Sequence, residues 1–329
     1  MTLLLDDESV RGVLDAGALV EAIDRALRVD AERPADVPER LNLAGDGRFF
    51  RVMPAVVPAS GVMGLKAFFG GGGVGVRYVI LLASTETGEI LAVLDACYLT
   101  AARTAATSVL AARAMGVKGT RLGVLGSGLE AETHLRTFAA VADLEEVKVF
   151  SPRPEGRERL SARLRDEFGF TVTACASAAE ACADVDHVIT ATNTGYGGPI
   201  ACESGWLPAG LHLSAIGSTH QDLRELDTAI LRRAGVLLFD ADPAQVADES
   251  GDIRAYVDEG GSTAGVLLLS DVLQGKVALP EDRPGDLTIF KSVGTALQDL
   301  VAAELAYRRA VETGLGRPVD DLAAPKRRR

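Results

Sequence analysis

Aromatic residues are scarce in this chain of 329 residues, at 5% with a single Trp, so the core has to be built from Val, Leu, Ile and Ala. Cysteine is scarce too. Cys97, Cys175, Cys182 and Cys202 form no CxxC pair and have no histidine at zinc-finger spacing, so they read as small, partly buried apolar residues, and no metal site is expected. Positive charge is in deficit, with a net charge of −12 that argues against a general nucleic-acid binder. The one basic run, Lys326-Arg327-Arg328-Arg329, reads as a solvated end. No apolar run reaches the roughly 20 residues that span a bilayer. The start, Met1-Thr2-Leu3-Leu4-Leu5-Asp6-Asp7, lacks the basic and apolar segments of a signal peptide. A cytoplasmic protein with no nucleic-acid or membrane partner is expected.

Hydrophobic residues make up 47% and charged residues 24%, an ordinary globular balance. At roughly 150 residues per domain, the length suggests two domains. Apolar spacing predicts helix over 6–29, a Pro- and charge-rich loop over 31–40, strands at 49–53, 61–68, 76–83 and 90–95, and an Ala-rich helix over 99–115. Strands at 121–125, 147–150, 171–174, 187–191, 212–216 and 236–239 then alternate with helices at 130–141, 154–168, 178–183 and 226–234. That alternation implies a parallel sheet covered by helices. A last helix is expected over 295–312. There are no internal repeats, and the only low-complexity segment is Gly70-Gly71-Gly72-Gly73, either a mobile lip beside Lys66 or a plain hairpin loop.

The most informative segment runs from Arg121 to Ala131 and contains Gly126-Ser127-Gly128-Leu129-Glu130-Ala131. It follows a strand pattern and opens a helix, the context a dinucleotide-binding turn requires. Gly126 permits the tight turn, Gly128 lets backbone approach a pyrophosphate, and Ala131 allows close helix packing. The amides opening the helix, over Ser127, Gly128, Leu129 and Glu130, would receive the phosphates. The second strand ends at Ser151-Pro152-Arg153, without the carboxylate that holds a ribose 2′-hydroxyl in NAD sites. Ser151 with Arg153, and Arg157 nearby, suits a 2′-phosphate better. NADP(H) is therefore favoured, with NAD(H) possible.

Several segments together resemble the ornithine cyclodeaminase/μ-crystallin family. They are Gly64-Leu65-Lys66, Leu99 to Ala106, the glycine loop, Ile216-Gly217-Ser218 with Arg224-Glu225-Leu226-Asp227, Glu249-Ser250-Gly251-Asp252, and Ile289 to Asp299. They occur in the family's order and cover nearly the whole chain. The resemblance implies an α/β fold in which a Rossmann domain with a parallel sheet (118–294) is inserted in an α+β substrate and dimerisation domain (1–117 plus 295–329). It also implies a homodimer and hydride chemistry at a carbon bonded to nitrogen, on a small imine or amino-acid substrate.

By the same resemblance, Lys66 and Arg40 contact the substrate carboxylate and Met53 lines that pocket. A guanidinium fork suits a carboxylate, and a desolvated lysine can move protons. Arg103 and Thr104 are expected near the cofactor phosphates and substrate, and Ser218 and Ser292 near the cofactor. Val293 and Gly294 are expected beside the nicotinamide. The loop after residue 216 departs from the cyclodeaminases: Thr219 stands where they carry an acid/base aspartate, and threonine cannot take a proton at neutral pH. His220 or Asp222 could supply that function, and histidine titrates near neutrality. The expected activity is an NAD(P)H-dependent reductase of a cyclic imine (ketimine) or imino/keto acid, giving an α-amino acid. The alternatives are a redox-neutral, NAD-dependent ornithine-type cyclodeaminase and a non-catalytic NADPH-binding protein like μ-crystallin.

Overall fold

A computed structural model describes residues 1–29, 33–280, 286–320 and 322–325. The basic run 326–329 lies outside the described residues. The chain divides into two compact units, residues 1–103 with 295–329, and residues 104–294.

The first unit is built on a seven-stranded sheet. Its strands are β1 (Thr2–Leu5), β2 (Leu41–Gly45), β3 (Arg48–Val57), β4 (Val62–Gly71), β5 (Val74–Ser84), β6 (Ile90–Asp95) and β15 (Arg317–Val319), in the order β15-β1-β6-β5-β4-β3-β2. From β2 to β6 the strands form an antiparallel meander, whose side chains alternate between faces. Asp46 and Gly47, both at positive φ, make the turn into β3. Gly71, Gly72 and Gly73 at positive φ make the turn into β5, so the glycine run is a hairpin turn. In helix α11 (Ala296–Thr313) the Thr295 side chain takes the Gln298 amide and the Gln298 side chain takes the Thr295 amide. The helix stops at Gly314 in the left-handed conformation, and it packs on β3, β4 and β5.

The region expected as one helix over 6–29 is two: α1 (Asp7–Val13), capped by Asp6, and α2 (Ala16–Val29), where Asp15 accepts from the Ala18 amide. An Asp just before each helix supplies a stronger start signal than the shared apolar periodicity. Strands β1, β2 and β15 were not anticipated. β1 is a short, almost fully buried apolar run without alternation, and β15 is an edge strand of three residues containing Pro318.

The second unit carries an all-parallel, eight-stranded sheet. Its strands are β7 (Arg121–Leu125), β8 (Glu146–Phe150), β9 (Thr171–Ala174), β10 (His187–Thr190), β11 (His212–Ala215), β12 (Ala234–Phe239), β13 (Leu267–Leu268) and β14 (Leu287–Lys291). The order is β13-β12-β14-β11-β10-β7-β8-β9. The chain builds outward from β7 to β9, then returns to lay β10 on the other side of β7. That reversal opens a crevice at the carboxyl ends of β7 and β10, where doubly wound sheets take their ligands. The core is aliphatic as expected, with Val124, Val149, Val188, Leu213 and Ile289 buried. Cys175, Cys182 and Cys202 are buried and Cys97 is half-buried.

Candidate functional site

In the first unit, the register of the meander aligns Met53 of β3, Lys66 of β4 and Ile80 of β5 on the sheet face that α11 covers. Lys66 is 2% exposed, and its ammonium lies 2.7 Å from Asp299 Oδ2, a carboxylate in the first turns of α11 that is wholly buried. The other oxygen, Asp299 Oδ1, accepts from Arg103 Nε at 2.8 Å, and Arg103 Nη1 donates to Gln298 Oε1 at 3.0 Å. Arg103 comes from α3 (Cys97–Ala114). Arg40 is buried in the same unit and adds a third cation to the field at Lys66. The Lys66 ammonium also lies 5.6 Å from the Phe68 ring centroid.

Burial is the largest influence on Lys66. With the cations of Arg103 and Arg40 it outweighs the Asp299 carboxylate and brings the lysine pKa down to about 8. Burial pushes the Asp299 carboxyl up, but the adjacent Lys66 and Arg103 charges prevail and hold it below the usual carboxylate range. The cluster therefore gathers the cations of Lys66 and Arg103 on the Asp299 carboxylate in a water-poor setting, with the Arg40 charge acting on Lys66, and it contains an amine able to change protonation near neutrality.

In the second unit, the glycine loop lies at the carboxyl end of β7. Gly126 has φ of 137°, and a Cβ there would sit 2.4 Å from the Ala191 carbonyl, so only glycine fits. Gly128 is the N-cap of α4 (Leu129–Val141) and caps it with no side chain. A Cβ on Gly128 would meet nothing within 4 Å, so the backbone at this helix start is open on that side, and the first amides of a helix have no partner within it. Leu129 and Glu130 are half-buried in the first turn. Ser127 Oγ donates to Ser151 Oγ at 2.9 Å, which ties the loop to the end of β8. Arg153 is exposed as the N-cap of α5 (Pro154–Phe168). Arg157 donates to the Ser151 carbonyl at 2.7 Å and lies over the Phe150 ring. Thr104 is buried in α3.

The loops beyond β11, β12 and β14 are tied by buried charges. Both oxygens of Glu225 are engaged. Oε1 accepts from the amide and the hydroxyl of Thr192, each at 2.7 Å, and Oε2 accepts from the Gly217 amide at 2.7 Å and Thr190 Oγ1 at 3.1 Å. Asp252 Oδ1 accepts from the amides of Glu225 and Leu226 at 2.8 and 2.9 Å. Lys291 donates to the Ala215 carbonyl at 3.2 Å. Burial lowers the Lys291 pKa, opposed by Asp252, Glu225 and Asp240, while burial raises that of Asp252. Asp240 accepts from Ser292 Oγ at 2.6 Å and from the amides of Val293 and Gly294 at 3.0 and 3.1 Å.

These contacts give the motif residues 217, 225, 252 and 291 an architectural role. They also engage two side chains expected at the cofactor. Ser218 is fully buried, with its hydroxyl donating to the Leu223 carbonyl and touching Ser250 Oγ at 3.3 Å. Ser292 Oγ is bonded to Asp240. Of the acid/base candidates, His220 Nδ1 lies 3.5 Å from Asp222 Oδ2, and Tyr196 meets the imidazole edge-on. Asp222 is exposed, and His220 and Thr219 are half-buried.

Sequence reasoning missed Asp299, Gln298, Asp240 and the pairing of Glu225 with Asp252. A carboxylate on the helix face Ala296, Leu300 and Ala303, otherwise apolar, was the available signal for Asp299, since a buried charge needs a partner. Among the described residues, no group of His, Cys, Asp or Glu could hold a metal ion, and no helix is long and apolar enough to cross a membrane.

A doubly wound parallel sheet with a glycine turn in one unit, and an antiparallel meander bearing a buried lysine–arginine–aspartate cluster in the other, define a dinucleotide-binding α/β protein. The chain belongs to the ornithine cyclodeaminase/mu-crystallin family, whose model matches residues 2–314. It is 29% identical over 324 residues to an alanine dehydrogenase of Archaeoglobus fulgidus, covering 96% of this chain and 97% of the relative. It is 30% identical over 268 residues to a Delta(1)-pyrroline-2-carboxylate reductase of Bacillus cereus (80% and 78%). It is also 33% identical over 230 residues to the ketimine reductase mu-crystallin of Mus musculus (69% and 68%). Among solved structures, the Thermococcus litoralis Delta(1)-pyrroline-2-carboxylate reductase in complex with NADH and L-proline aligns with a TM-score of 0.88 at 28% identity, covering 96% of this chain and 100% of that one. An archaeal alanine dehydrogenase dimer with bound NAD aligns with a TM-score of 0.85 at 28% identity, covering 97% and 99%.

Proposed function

We propose that this protein is a nicotinamide-dependent reductase that converts a small cyclic imine (ketimine) or an imino acid, the latter formed from a keto acid and an amine with loss of water, into an α-amino acid. The observation that carries this reading is the buried set of Lys66 and Arg103 on the Asp299 carboxylate, with the buried Arg40 charge acting on Lys66. The guanidinium of Arg40 and the ammonium of Lys66 suit the carboxylate of such a substrate, with Met53 lining the pocket. Lys66, with its lowered pKa, is also the best-placed side chain to hand a proton to nitrogen. The loop 218–222 with Thr219, His220 and Asp222 is the second candidate for that proton. The bound nicotinamide supplies the hydride.

The cofactor seat is the amide-lined start of α4 at 126–130, with Ser151 and Arg153 at the adenosine end. Because no carboxylate stands at the end of β8, NADP(H) is preferred over NAD(H). The residues 1–117 with 295–329 serve substrate binding and dimerisation, and 118–294 serve the cofactor. Thr219 in place of an aspartate disfavours ornithine cyclodeamination.

The partner is a second copy of this chain. On the meander face opposite Lys66, Leu41, Leu43, Phe50, Val56 and Phe69 are all more than one-third exposed, and Phe50 stacks on Phe69. An apolar sheet face of this kind calls for a covering surface, and face-to-face packing of two such sheets provides it.

The test follows NADPH absorbance with pyrroline-2-carboxylate, piperideine-2-carboxylate, and pyruvate with amines, and repeats it with NADH. Turnover of one of these, lost in Lys66→Met, is expected. Tight nucleotide binding without oxidation by any of them would overturn the reductase reading in favour of a nucleotide-binding protein.

A further inference from the structure

Asp299 is the carboxylate that contacts both Lys66 and Arg103, and the two cations divide it. Oδ2 faces the Lys66 ammonium at 2.7 Å while Oδ1 holds Arg103 at 2.8 Å. Its place is fixed from two sides. The capping box at Thr295 and Gln298 sets the first turn of α11, and Gln298 Oε1 takes Arg103 Nη1 as well as the Thr295 amide. The helix start also favours a negative charge at this position. The charged groups acting on Lys66 are Asp299 from α11, Arg103 from α3 and Arg40 from the segment before β2, while its strand neighbours Met53 and Ile80 are apolar.

Of the three cations, only the lysine can shed its proton in the working pH range. We infer that Asp299 is the positioning residue that keeps Lys66 charged and aimed in the resting protein, so that this carboxylate sets the protonation state in which Lys66 meets the substrate. The inference rests on the reductase reading and deepens it. Without Asp299, Lys66 faces two guanidinium groups in a desolvated pocket and becomes a neutral amine at neutral pH. A neutral amine no longer attracts a substrate carboxylate and has no proton to deliver to nitrogen.

The chain has six lysines, so a sample carrying lysine labelled with 13C at Cε gives few enough signals to follow one by one. Lys66 is assigned by its disappearance in Lys66→Arg. In the wild type its midpoint is expected near 8. Asp299→Asn is expected to lower it by about 1–3 pH units, the usual effect of one adjacent opposite charge. A shift of two units corresponds to about a 25-fold fall in the charged fraction at pH 7.5, which kcat/KM is expected to follow, recovering as pH is lowered. Arg103→Met leaves Asp299 to Lys66 alone and is expected to raise the midpoint, which keeps the test available if the asparagine protein does not fold. A wild-type midpoint in either variant overturns the inference. The titration needs neither nucleotide nor substrate, so its failure is distinct from an absence of turnover, which strikes the reductase reading.

Discussion

Three histidines lie buried in the second unit: His187 at the start of β10, His212 at the start of β11, and His134 in α4. His187 Nε2 shares a hydrogen bond with Ser214 Oγ at 3.0 Å, and His212 Nδ1 with Thr288 Oγ1 at 2.8 Å. The rings of His187 and His212 are 4.7 Å apart. Burial, with the proximity of His212 and His134, holds His187 well below its ordinary pKa, and burial brings His212 down to about 3. Both are therefore neutral in the folded protein, whereas the unfolded chain takes up protons below about pH 6.5. A depressed folded pKa stabilises fully above the unfolded value, and that stability is lost as pH falls. Between pH 7.5 and 5.5 the loss works out at about 1.4 kcal/mol per histidine, or ~2.7 kcal/mol for the pair. Trp206, the only tryptophan, packs against the core of this unit, so its fluorescence reports this unit's unfolding in urea. The shift in midpoint is expected to be about 1 M for a typical denaturant slope. His187→Gln and His212→Asn together preserve the hydrogen-bonding atoms and remove these two titrations, so the midpoint of the double variant should shift by about 1 M less than that of the wild type across the same range. An equal pH dependence in the wild type and the double variant would show that these two buried histidines do not carry the acid sensitivity.

Gly126→Val places a Cβ 2.4 Å from a carbonyl at a φ of 137°, and is expected to abolish nucleotide binding and lower the melting temperature. Gly128→Ala has ordinary φ and open space, so its stability should stay within about 0.5 kcal/mol while nucleotide affinity, read by fluorescence titration, still falls. Arg153→Ala is expected to raise the KM for NADPH about tenfold and leave that for NADH within about twofold, since it removes one charge-assisted contact to a 2′-phosphate. Phe50→Lys puts a charge on the apolar face of the meander, and sedimentation velocity should show monomer where the wild type shows dimer.

The glycine turn was legible because everything it needs is local. A strand, two glycines, an alanine and a helix lie within eleven residues, and each has its conformational reason in its own backbone. The parallel sheet was legible for a similar reason, since alternating apolar runs of two periods leave few arrangements. Lys66, Arg40 and Arg103 were picked out by resemblance and by the oddity of charge in apolar surroundings, but their pairing was not. Arg103 and Asp299 are 196 residues apart, and nothing in either segment names the other. Ser218 and Ser292 show the same limit: their hydroxyls bond to the Leu223 carbonyl and to Asp240, partners on other segments that neither local sequence names.

Local sequence was enough to mark most of the long strands and helices, their apolar faces and one turn with the pattern of a dinucleotide site, because propensity, capping and periodicity act over a few residues. Only the tertiary structure decided which charges share a buried site, how far burial moves the lysine at 66, and which carboxylates serve as braces. Those properties depend on desolvation and on Coulomb forces over a few ångströms, and chain folding creates that proximity between residues far apart in sequence.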